Sequence, residues 1–282
     1  MLPIGAHMSI AGGMDRAFSR GEEAGCTAMQ IFTKNANQWR GKPISPEAAE
    51  AFRLAWERSP IGPVVAHDSY LINLAAPDDE KRDRSIAAFL DEMERCALLG
   101  IPHLVMHPGA HMGAGEEAGL KRIGEAFGRI FSEGPEGVTV LLENTAGQGT
   151  YLGCRFEHLA EIMERVPAGR FGVCFDTCHA FAAGFDLSTE AGYSLVMAEF
   201  DRIIGLEAIR VFHLNDSKKD QGSRVDRHEH IGRGTIGLDG FRALMRDKRF
   251  RQVPKILETP KGDGNELDRM NLATLRELAG ER

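Results

Sequence analysis

Eight short apolar runs recur along this chain of 282 residues, and each is followed by a longer amphipathic segment. Short apolar, β-branched runs are typical of buried strands, whereas apolar residues at a spacing of three and four are typical of helices. The candidate strands are Ile4–His7, Ala28–Phe32, Val64–His67, Leu104–His107, Val138–Glu143, Gly172–Asp176, Ile209–His213 and Lys255–Glu258. Strands that alternate with helices predict a parallel sheet.

The number and spacing of these units favour a closed barrel. From His7 to Glu258 the seven intervals average about 36 residues, and a TIM barrel usually needs about 250 residues in all. We therefore predict one TIM (β/α)8 barrel domain spanning residues 1–282. An open doubly wound sheet is the structural alternative, but the first strand is not followed by a G-x-G-x-x-G motif.

The composition narrows the class of protein. Hydrophobic residues make up 43% of the chain and charged residues 27%, which is ordinary for a soluble domain. No run of 18 apolar residues predicts a membrane span, and the first residues do not resemble a signal peptide. Five scattered cysteines, an odd number, do not suggest a disulfide framework. We therefore expect a cytoplasmic protein.

Seven of the eight candidate strands end on a side chain that can bind a metal ion. These residues are His7, His67, His107, Glu143, Asp176, His213 and Glu258. In a barrel the carboxyl ends of the strands share one mouth, so these side chains should converge there. A single histidine or carboxylate at a strand end more often caps a helix or forms a hydrogen bond. Seven together would be costly to bury without a cation, which predicts a metal cluster.

The residue types limit the choice of metal ion, and two further segments offer a third group of candidate ligands. Histidine with carboxylate and without cysteine suits Zn²⁺ or Mn²⁺. Cys174 lies two residues before Asp176 and is interpreted as a filler of the barrel interior, with a thiolate ligand as the minor alternative. His179 follows Asp176 by three residues, and Asp226-x-His228 lies in the long segment after the seventh strand. These three side chains could chelate one further ion, although a solvated polar loop is the usual fate of such a run.

The loops after the second and third strands would also lie at the mouth. Residues 33–40 and 68–74 offer amide and aromatic side chains that could contact bases or wedge between them. Trp39 and Leu71 could equally pack within their loops, and for Trp39, an isolated aromatic, packing is the simpler interpretation. The net charge of −7 argues against broad nucleic-acid binding, but three divalent cations would offset six of these charges within one cleft.

Nine segments of the chain, in order, resemble the motifs of the endonuclease IV family. They are residues 5–7 (GAH), 32–35 (FTKN), 67–74 (HDSYLINL), 107–109 (HPG), 143–149 (ENTAGQG), 176–179 (DTCH), 213–217 (HLNDS), 226–228 (DRH) and 258–260 (ETP). The resemblance covers nearly the whole chain, and its longer motifs are highly specific.

This resemblance implies a TIM barrel of the xylose-isomerase-like type with three zinc ions, and Mn²⁺ is an alternative at one site. His67, His107 and Glu143 would hold the first ion. Glu143, Asp176, His213 and Glu258 would hold the second, so that Glu143 bridges the two. His179, Asp226 and His228 would hold the third. Of these nine residues, we expect Glu143 and Glu258 to be catalytic.

The implied reaction is hydrolysis of the phosphodiester 5′ to an abasic site in double-stranded DNA, with a metal-activated water as nucleophile. It leaves a 3′-hydroxyl and a 5′-deoxyribose phosphate, and blocked 3′ ends are removed as well. The resemblance also implies DNA-binding roles for Gln38, Tyr70 and Leu71, whose side chains would enter the helix. The family pattern has arginine where this chain has Asn37. We expect a monomer.

Two other functions compete with this one. Glu143, Asp176, His213 and Glu258 also resemble the ligand set of metal-dependent sugar isomerases and epimerases, which lack the third site. The His67/His107 pair and the Asp226-x-His228 segment favour the nuclease. A catalytically inert protein that binds damaged DNA is the other alternative, and the complete ligand set argues against it.

Overall fold

The barrel predicted from the strand pattern is present and closed. The computed structural model describes residues 2–167 and 170–281. Its barrel strands are β1 (Ile4–His7), β2 (Ala28–Phe32), β3 (Val64–His67), β4 (His103–Met106), β5 (Thr139–Glu143), β6 (Phe171–Asp176), β7 (Ile209–His213) and β10 (Lys255–Leu257). Each strand pairs in parallel with its neighbours, and β10 closes the barrel against β1. His107 and Glu258, predicted as the last residues of their strands, come one residue after them.

Nine helices surround the described part of the barrel. They are α1 (Arg16–Ala24), α2 (Pro46–Arg58), α3 (Asp79–Leu99), α4 (Glu116–Glu133), α5 (Phe156–Arg165), α6 (Thr177–Ala183), α7 (Glu190–Ile203), α8 (Gly237–Arg246) and α9 (Glu266–Ala279). No helix among these described residues has the length and apolar character needed to cross a membrane.

Two features after β6 and β7 were not predicted. After β6 the short helix α6 precedes the outer helix α7. After β7, the two-residue strands β8 (Asp216–Ser217) and β9 (His228–Glu229) form an antiparallel pair. This pair lies within the segment that the sequence indicated to be a loop. A pair this short leaves no apolar periodicity in the sequence, because two polar residues in each strand are too few to show alternation.

Helix α3 shows how local signals set the element boundaries. Its predicted range, Ser85–Leu99, ends correctly at Gly100, which takes the left-handed conformation with φ 77°. The helix begins six residues earlier than predicted because the Asp78 side chain accepts the Lys81 N–H at 2.9 Å. That first turn is polar and exposed, so the apolar spacing does not report it.

An apolar plug fills the barrel below its mouth. One buried residue from each of seven strands belongs to it: Ala28, Val65, Val105, Leu141, Cys174, Val211 and Ile256. Side chains alternate along a strand, so the residue two positions later points into the same interior. In six of the seven strands that residue is a predicted metal ligand, and the plug therefore forms a floor beneath the ligands. Cys174 lies in the plug, as predicted.

A buried charged cluster fixes the loop after β2 to helix α3. The Lys34 ammonium contacts the Glu92 carboxylate, and both side chains are almost fully buried. Thr33 donates its hydroxyl hydrogen to Glu92 at 2.6 Å. The Arg95 guanidinium donates to the Thr33 carbonyl at 2.7 Å and to the Lys42 carbonyl at 2.9 Å. Residues 33–42 are thus held at both ends.

We predict that Lys34→Met lowers the free energy of unfolding by about 3–5 kcal/mol, because the Glu92 carboxylate would stay buried without its cation. Urea denaturation monitored by circular dichroism measures the change. Arg129→Met is the matched control, since its pair with Asp83 lies at the surface and should contribute about 0–1 kcal/mol. Equal losses in the two variants would contradict a special role for the buried pair.

Candidate metal centre

The nine predicted ligands converge on the mouth of the barrel in three groups. The ligand atoms within each group lie within 4.8 Å of one another. The groups are His67–His107–Glu143, Glu143–Asp176–His213–Glu258 and His179–Asp226–His228, which are called the first, second and third groups below. His7, the remaining metal-capable strand end, is not part of them.

Glu143 belongs to two groups through its two carboxylate oxygens. Oε2 lies 3.2 Å from His67 Nε2 and 3.3 Å from His107 Nε2. Oε1 lies 3.0 Å from His213 Nδ1. The side chain has no exposed surface, and its position at the end of β5 directs it into the barrel. One carboxylate is therefore arranged to serve two adjacent cations.

The second group is the deepest of the three. Asp176 and His213 are fully buried, and Glu258 is 18% exposed at the side chain. Asp176 Oδ1 accepts the His179 N–H at 2.7 Å and so caps helix α6. Its Oδ2 accepts an amide hydrogen of Asn215 at 2.7 Å and lies 3.9 Å from His213 Nδ1. The carboxylate thus has one oxygen fixed by the helix and the other directed at the group.

The third group lies nearer the surface. Asp226 is 43% exposed, and its two oxygens lie 3.2 Å from His179 Nε2 and 3.3 Å from His228 Nε2. His179 comes from the first turn of α6, and His228 from β9. The third group approaches the second at two points: His179 Nδ1 lies 3.2 Å from Glu143 Oε1, and His228 Nε2 lies 3.8 Å from Asp176 Oδ2.

Hydrogen bonds fix the orientation of four of the five imidazoles. Nδ1 donates to a backbone carbonyl in three of them: His67 to Asp68 at 2.9 Å, His179 to Asn144 at 3.0 Å and His228 to Glu258 at 3.1 Å. In His213, Nε2 donates to the Gln30 amide oxygen at 2.8 Å. In each ring the other nitrogen therefore presents a lone pair to a carboxylate. Histidine ligands of metal ions are usually held in this way.

The donor set fits divalent cations. Lone pairs of imidazole and carboxylate repel each other across about 3 Å unless a positive charge lies between them. His228 Nε2 makes the point most directly, because it is buried and has no hydrogen-bond partner among the described residues. Nitrogen and carboxylate donors without thiolate suit zinc. Cys178 lies within reach of Asp176 and His228, and burial raises the pKa of its thiol to about 12.

The pKa shifts point the same way. Burial alone would raise the pKa of Glu143, but the imidazoles of His213 and His107 hold it well below its usual value. Burial would likewise raise the pKa of Asp226, and the hydrogen bond from His179 brings it down to about 2. The pKa of His179 is well above normal because Asp176 and Asp226 outweigh its burial. The cluster therefore favours positive charge between its donor atoms.

Gln30 is the main contributor that the sequence did not reveal. It is fully buried in β2, where its amide accepts from His213 and donates to Glu258 Oε1 at 2.6 Å. Its nitrogen also lies 3.0 Å from His7 Nδ1. We expected β2 to end differently from the other strands, yet it reaches the ligand layer through Gln30. The signal was a polar residue two positions after the plug residue Ala28.

Two asparagines just after their strands also hold the ligands. The Asn144 side chain accepts the Asp176 N–H at 2.8 Å and donates to the Asp176 carbonyl at 2.9 Å. Asn215, besides its bond to Asp176, accepts the Glu258 N–H at 2.8 Å. Neither residue was a predicted site residue, because an amide after a strand has many other uses.

The three predicted DNA-binding residues lie at or beside the mouth. Gln38 is exposed in the loop after β2. Tyr70 is 58% exposed and packs its ring edge against Phe32, at a centroid distance of 5.4 Å. Leu71 is half-buried. Trp39 is half-buried against the core, with the Arg84 guanidinium of helix α3 4.4 Å above its ring.

Two cavities open at this face of the barrel. A cavity of about 210 Å³ is lined by Tyr70, Tyr151, Arg227 and ligands of the first and third groups. A larger groove of about 740 Å³ starts at His7 and Phe32 and is lined by Arg20, Lys34 and Lys261 among others. The smaller cavity leads to the metal groups. The larger groove lies beside them and has a mixed charge, because Lys34 is paired with Glu92, Lys261 is paired with Asp268, and Asp263 also lines it.

Comparisons with known proteins agree with the fold. Residues 18–278 match the family model described as xylose isomerase-like TIM barrel. The chain is 60% identical to a probable endonuclease 4 of Chloroflexus aurantiacus, over 98% of this chain and 97% of that protein. The crystal structure of endonuclease IV from Thermus thermophilus superposes with a TM-score of 0.87 at 39% identity, covering 99% of this chain and 100% of that one. A 3-keto-D-glucoside 4-epimerase from E. coli shares only the fold, with 15% identity and a TM-score of 0.69 over 98% of this chain and 100% of that one.

We predict that Gln30→Leu weakens zinc binding by about tenfold to a hundredfold, because His213 and Glu258 lose the amide that orients them. Titration of the metal-free protein with zinc against a competing chelator gives the affinity. Gln252→Leu, a change at an exposed glutamine, is the control. An affinity equal to that of the control would show that Gln30 does not hold the second group.

Proposed function

The chain belongs to the endonuclease IV family, and on that premise we propose that it hydrolyses the phosphodiester 5′ to abasic sites in double-stranded DNA. The products are a 3′-hydroxyl and a 5′-deoxyribose phosphate. The same chemistry removes blocked groups from 3′ ends, which places the enzyme in base excision repair.

The two-sided position of Glu143 is the observation that best supports this proposal. The negative charge of a phosphodiester repels an attacking oxygen, so this charge has to be neutralised for hydrolysis to proceed. Two cations held by one carboxylate would neutralise charge at both the attacking and the leaving oxygen. Because Oε1 and Oε2 face separate groups, Glu143 can hold such a pair.

We assign three zinc ions to the three groups, with Mn²⁺ as an alternative at one of them. When bound, such ions act as Lewis acids and lower the pKa of a water molecule. His67 and His107 would hold the first ion with Glu143. Asp176, His213 and Glu258 would hold the second with Glu143, and His179, Asp226 and His228 the third.

The chain itself supplies orientation and charge. Glu143 and Glu258 are the proposed catalytic carboxylates, since both belong to the second group and Glu143 also belongs to the first. Gln30 and Asn215 keep Glu258 in place through its side chain and its N–H. The apolar plug beneath the groups leaves water access only from the mouth, through which the DNA would also approach.

Gln38, Tyr70 and Leu71 are the proposed contacts with the DNA helix. An abasic nucleotide has less stacking to lose when it turns out of the helix, so side chains that fill the gap favour the lesion. Tyr70 is well placed for this role, since it is exposed and lines the cavity that leads to the metal groups. Asn37 is uncharged where the family pattern has arginine, so this loop would add no cation at that point.

The proposed setting is the cytoplasm, and the proposed state a monomer. All five cysteines are free thiols, four of them buried, which fits a reducing compartment.

The sugar epimerase remains the competing function, and the third group separates the two. Likeness at 15% identity to an epimerase reflects the barrel rather than the reaction. A test of both is incision of a duplex with one abasic site, with and without a strong chelator. The proposal requires chelator-sensitive cutting 5′ to the lesion, and it would be refuted by a metal-loaded protein that leaves this duplex intact.

We predict that Glu143→Gln reduces the incision rate by several orders of magnitude while the protein stays folded. An amide is neutral and offers only one acceptor oxygen, so it cannot hold two cations. Single-turnover incision and circular dichroism measure rate and fold. Glu117→Gln, an exposed change on α4, is the control. Near-normal incision with full zinc content would overturn the bridging role.

We predict that His228→Ala removes one zinc and leaves the other two largely bound, because the third group shares no ligand with the first two. Metal analysis of the purified variant gives the count. Incision should fall strongly as well, since a third cation would help to neutralise the phosphate. Loss of all three ions, or of none, would contradict this division.

A further inference from the structure

Three large apolar side chains are exposed around the mouth, and only one of them has a proposed role. The exposed fractions are 58% for Tyr70, 64% for Met112 and 45% for Tyr151. The other large apolar side chains that are exposed in the described residues, Leu54, Leu98, Leu195 and Leu238, lie on outer helices. Exposed apolar residues are common singly, but a group at a functional face calls for a partner. Met112 and Tyr151, called the mouth ridge below, are unexplained by the metal chemistry.

The mouth ridge is built on two loops that pair with each other. Ala110, after β4, and Tyr151, after β5, form an antiparallel bridge. His111 N–H donates to the Thr150 carbonyl at 3.0 Å, and Leu152 N–H donates to the Gly109 carbonyl at 2.8 Å. The backbone that carries both exposed side chains is therefore fixed rather than free to fold them back.

Asn73 ties this pair to the loop that carries Tyr70. Its side chain donates to the Ala110 carbonyl at 3.0 Å and accepts the Ala110 N–H at 3.0 Å. The loops after β3, β4 and β5 thus form one hydrogen-bonded unit. These bonds hold the backbone at Tyr70, Met112 and Tyr151 in one arrangement. A surface that contacts one ligand needs such an arrangement.

Met112 holds its exposed position in a conformation that methionine rarely adopts. Its φ of 51° lies in the left-handed region, which is shared among the described non-glycine residues only by Arg224. Both residues belong to loops of the mouth. The Met112 N–H donates to Thr150 Oγ1 at 3.2 Å, which helps to keep the strained backbone in place. Such backbone strain tends to occur at functional surfaces.

The mouth ridge adjoins the place where the scissile phosphate would lie. Tyr151 and Tyr70 line the same cavity of about 210 Å³, together with His107, His179 and Asp226. Met112 lines a neighbouring cavity of about 180 Å³ with Leu71 and Trp39. A phosphodiester held by the metal groups would bring its flanking nucleotides against these side chains.

We propose that Met112 and Tyr151 form a second DNA-contact surface, which packs against a base unstacked beside the lesion. Neither side chain is charged, and the ring of Tyr151 and the thioether chain of Met112 suit the flat apolar face of a base. The Tyr151 hydroxyl is the one group of the pair that can donate to a phosphate, and Tyr151→Phe removes it while keeping the ring. Opening the helix at an abasic site exposes such faces, whereas intact duplex keeps them stacked. The inference rests on the proposed function, because it presupposes DNA at the mouth.

The test uses the zinc-loaded full chain and a fluorescent duplex that carries a tetrahydrofuran abasic analogue. Tyr151→Ala should weaken binding to this duplex by about tenfold to a hundredfold, the range for loss of one aromatic stacking contact. Tyr151→Phe keeps the ring and should bind within about twofold of the wild type. Leu195→Ala, an exposed apolar change on α7, should have no effect. Met112→Ala should weaken binding in the same direction as Tyr151→Ala.

The controls separate this inference from the proposed function. Wild-type protein that fails to bind or cut the abasic duplex would refute the proposed function itself. If the wild type acts on it, equal losses for Tyr151→Ala on abasic and intact duplex would overturn the mouth ridge alone. The mouth ridge would also be overturned if Tyr151→Ala left the affinity for abasic duplex unchanged. It would be overturned as well if Tyr151→Phe lost as much affinity as Tyr151→Ala.

A direct readout comes from 2-aminopurine placed opposite the abasic analogue or beside it. Binding of the wild type should change its fluorescence, and Tyr151→Ala should reduce that change at one position with zinc content and melting temperature unaltered. Sedimentation that shows a wild-type dimer dissociated by Tyr151→Ala would instead identify the mouth ridge as a contact between copies of the chain, and would overturn the proposal.

Discussion

The cost of burying carboxylates beside imidazoles governs how the mouth of this barrel is built. Glu143, Asp176 and His213 have no exposed surface, yet their ligand atoms face one another at about 3–4 Å. In a site of low polarity such an arrangement is stable only if positive charge is shared among the donors. Protonated imidazoles can provide part of this positive charge, and divalent cations can provide all of it. The surrounding residues are arranged to hold the donors in place for that charge.

A second layer of amides and backbone carbonyls does this holding. Gln30 joins His213 to Glu258, and Asn215 joins Asp176 to Glu258. Three of the imidazoles donate to backbone carbonyls. His67 donates to Asp68, His179 to Asn144 and His228 to Glu258. Because most of these bonds join different strands, the positions of the ligands depend on closure of the whole barrel. The arrangement of the candidate metal centre is thus a property of the fold and not of any single motif.

The sequence predicted the barrel and six of the nine candidate ligands because both follow simple periodicities, whereas His179, Asp226 and His228 were suggested by their spacing in segments outside the strands. A strand shows alternation, and a parallel barrel brings its strand ends together, so residues such as His67 and Glu143 could be identified without tertiary information. Contacts that depend on the packing of distant loops could not be identified from the sequence in this way. Gln30 meets a partner 183 positions away, and Asn73 ties two loops through an ordinary-looking amide. The β8–β9 hairpin is too short to leave a pattern. Wherever function depends on such bonds, only coordinates reveal it.

The two-residue offset between the apolar plug and the ligands limits how this chain can change in length. In β3, β5, β6 and β7 the plug residue and the ligand lie two positions apart, and they share the barrel interior only because side chains alternate. One residue inserted between them would turn the ligand outward to the helices and place an apolar neighbour in the mouth. The same insertion in an exposed loop would leave both layers intact. Relatives with this chemistry should therefore accumulate insertions and deletions in their loops, and keep the spacing within each strand.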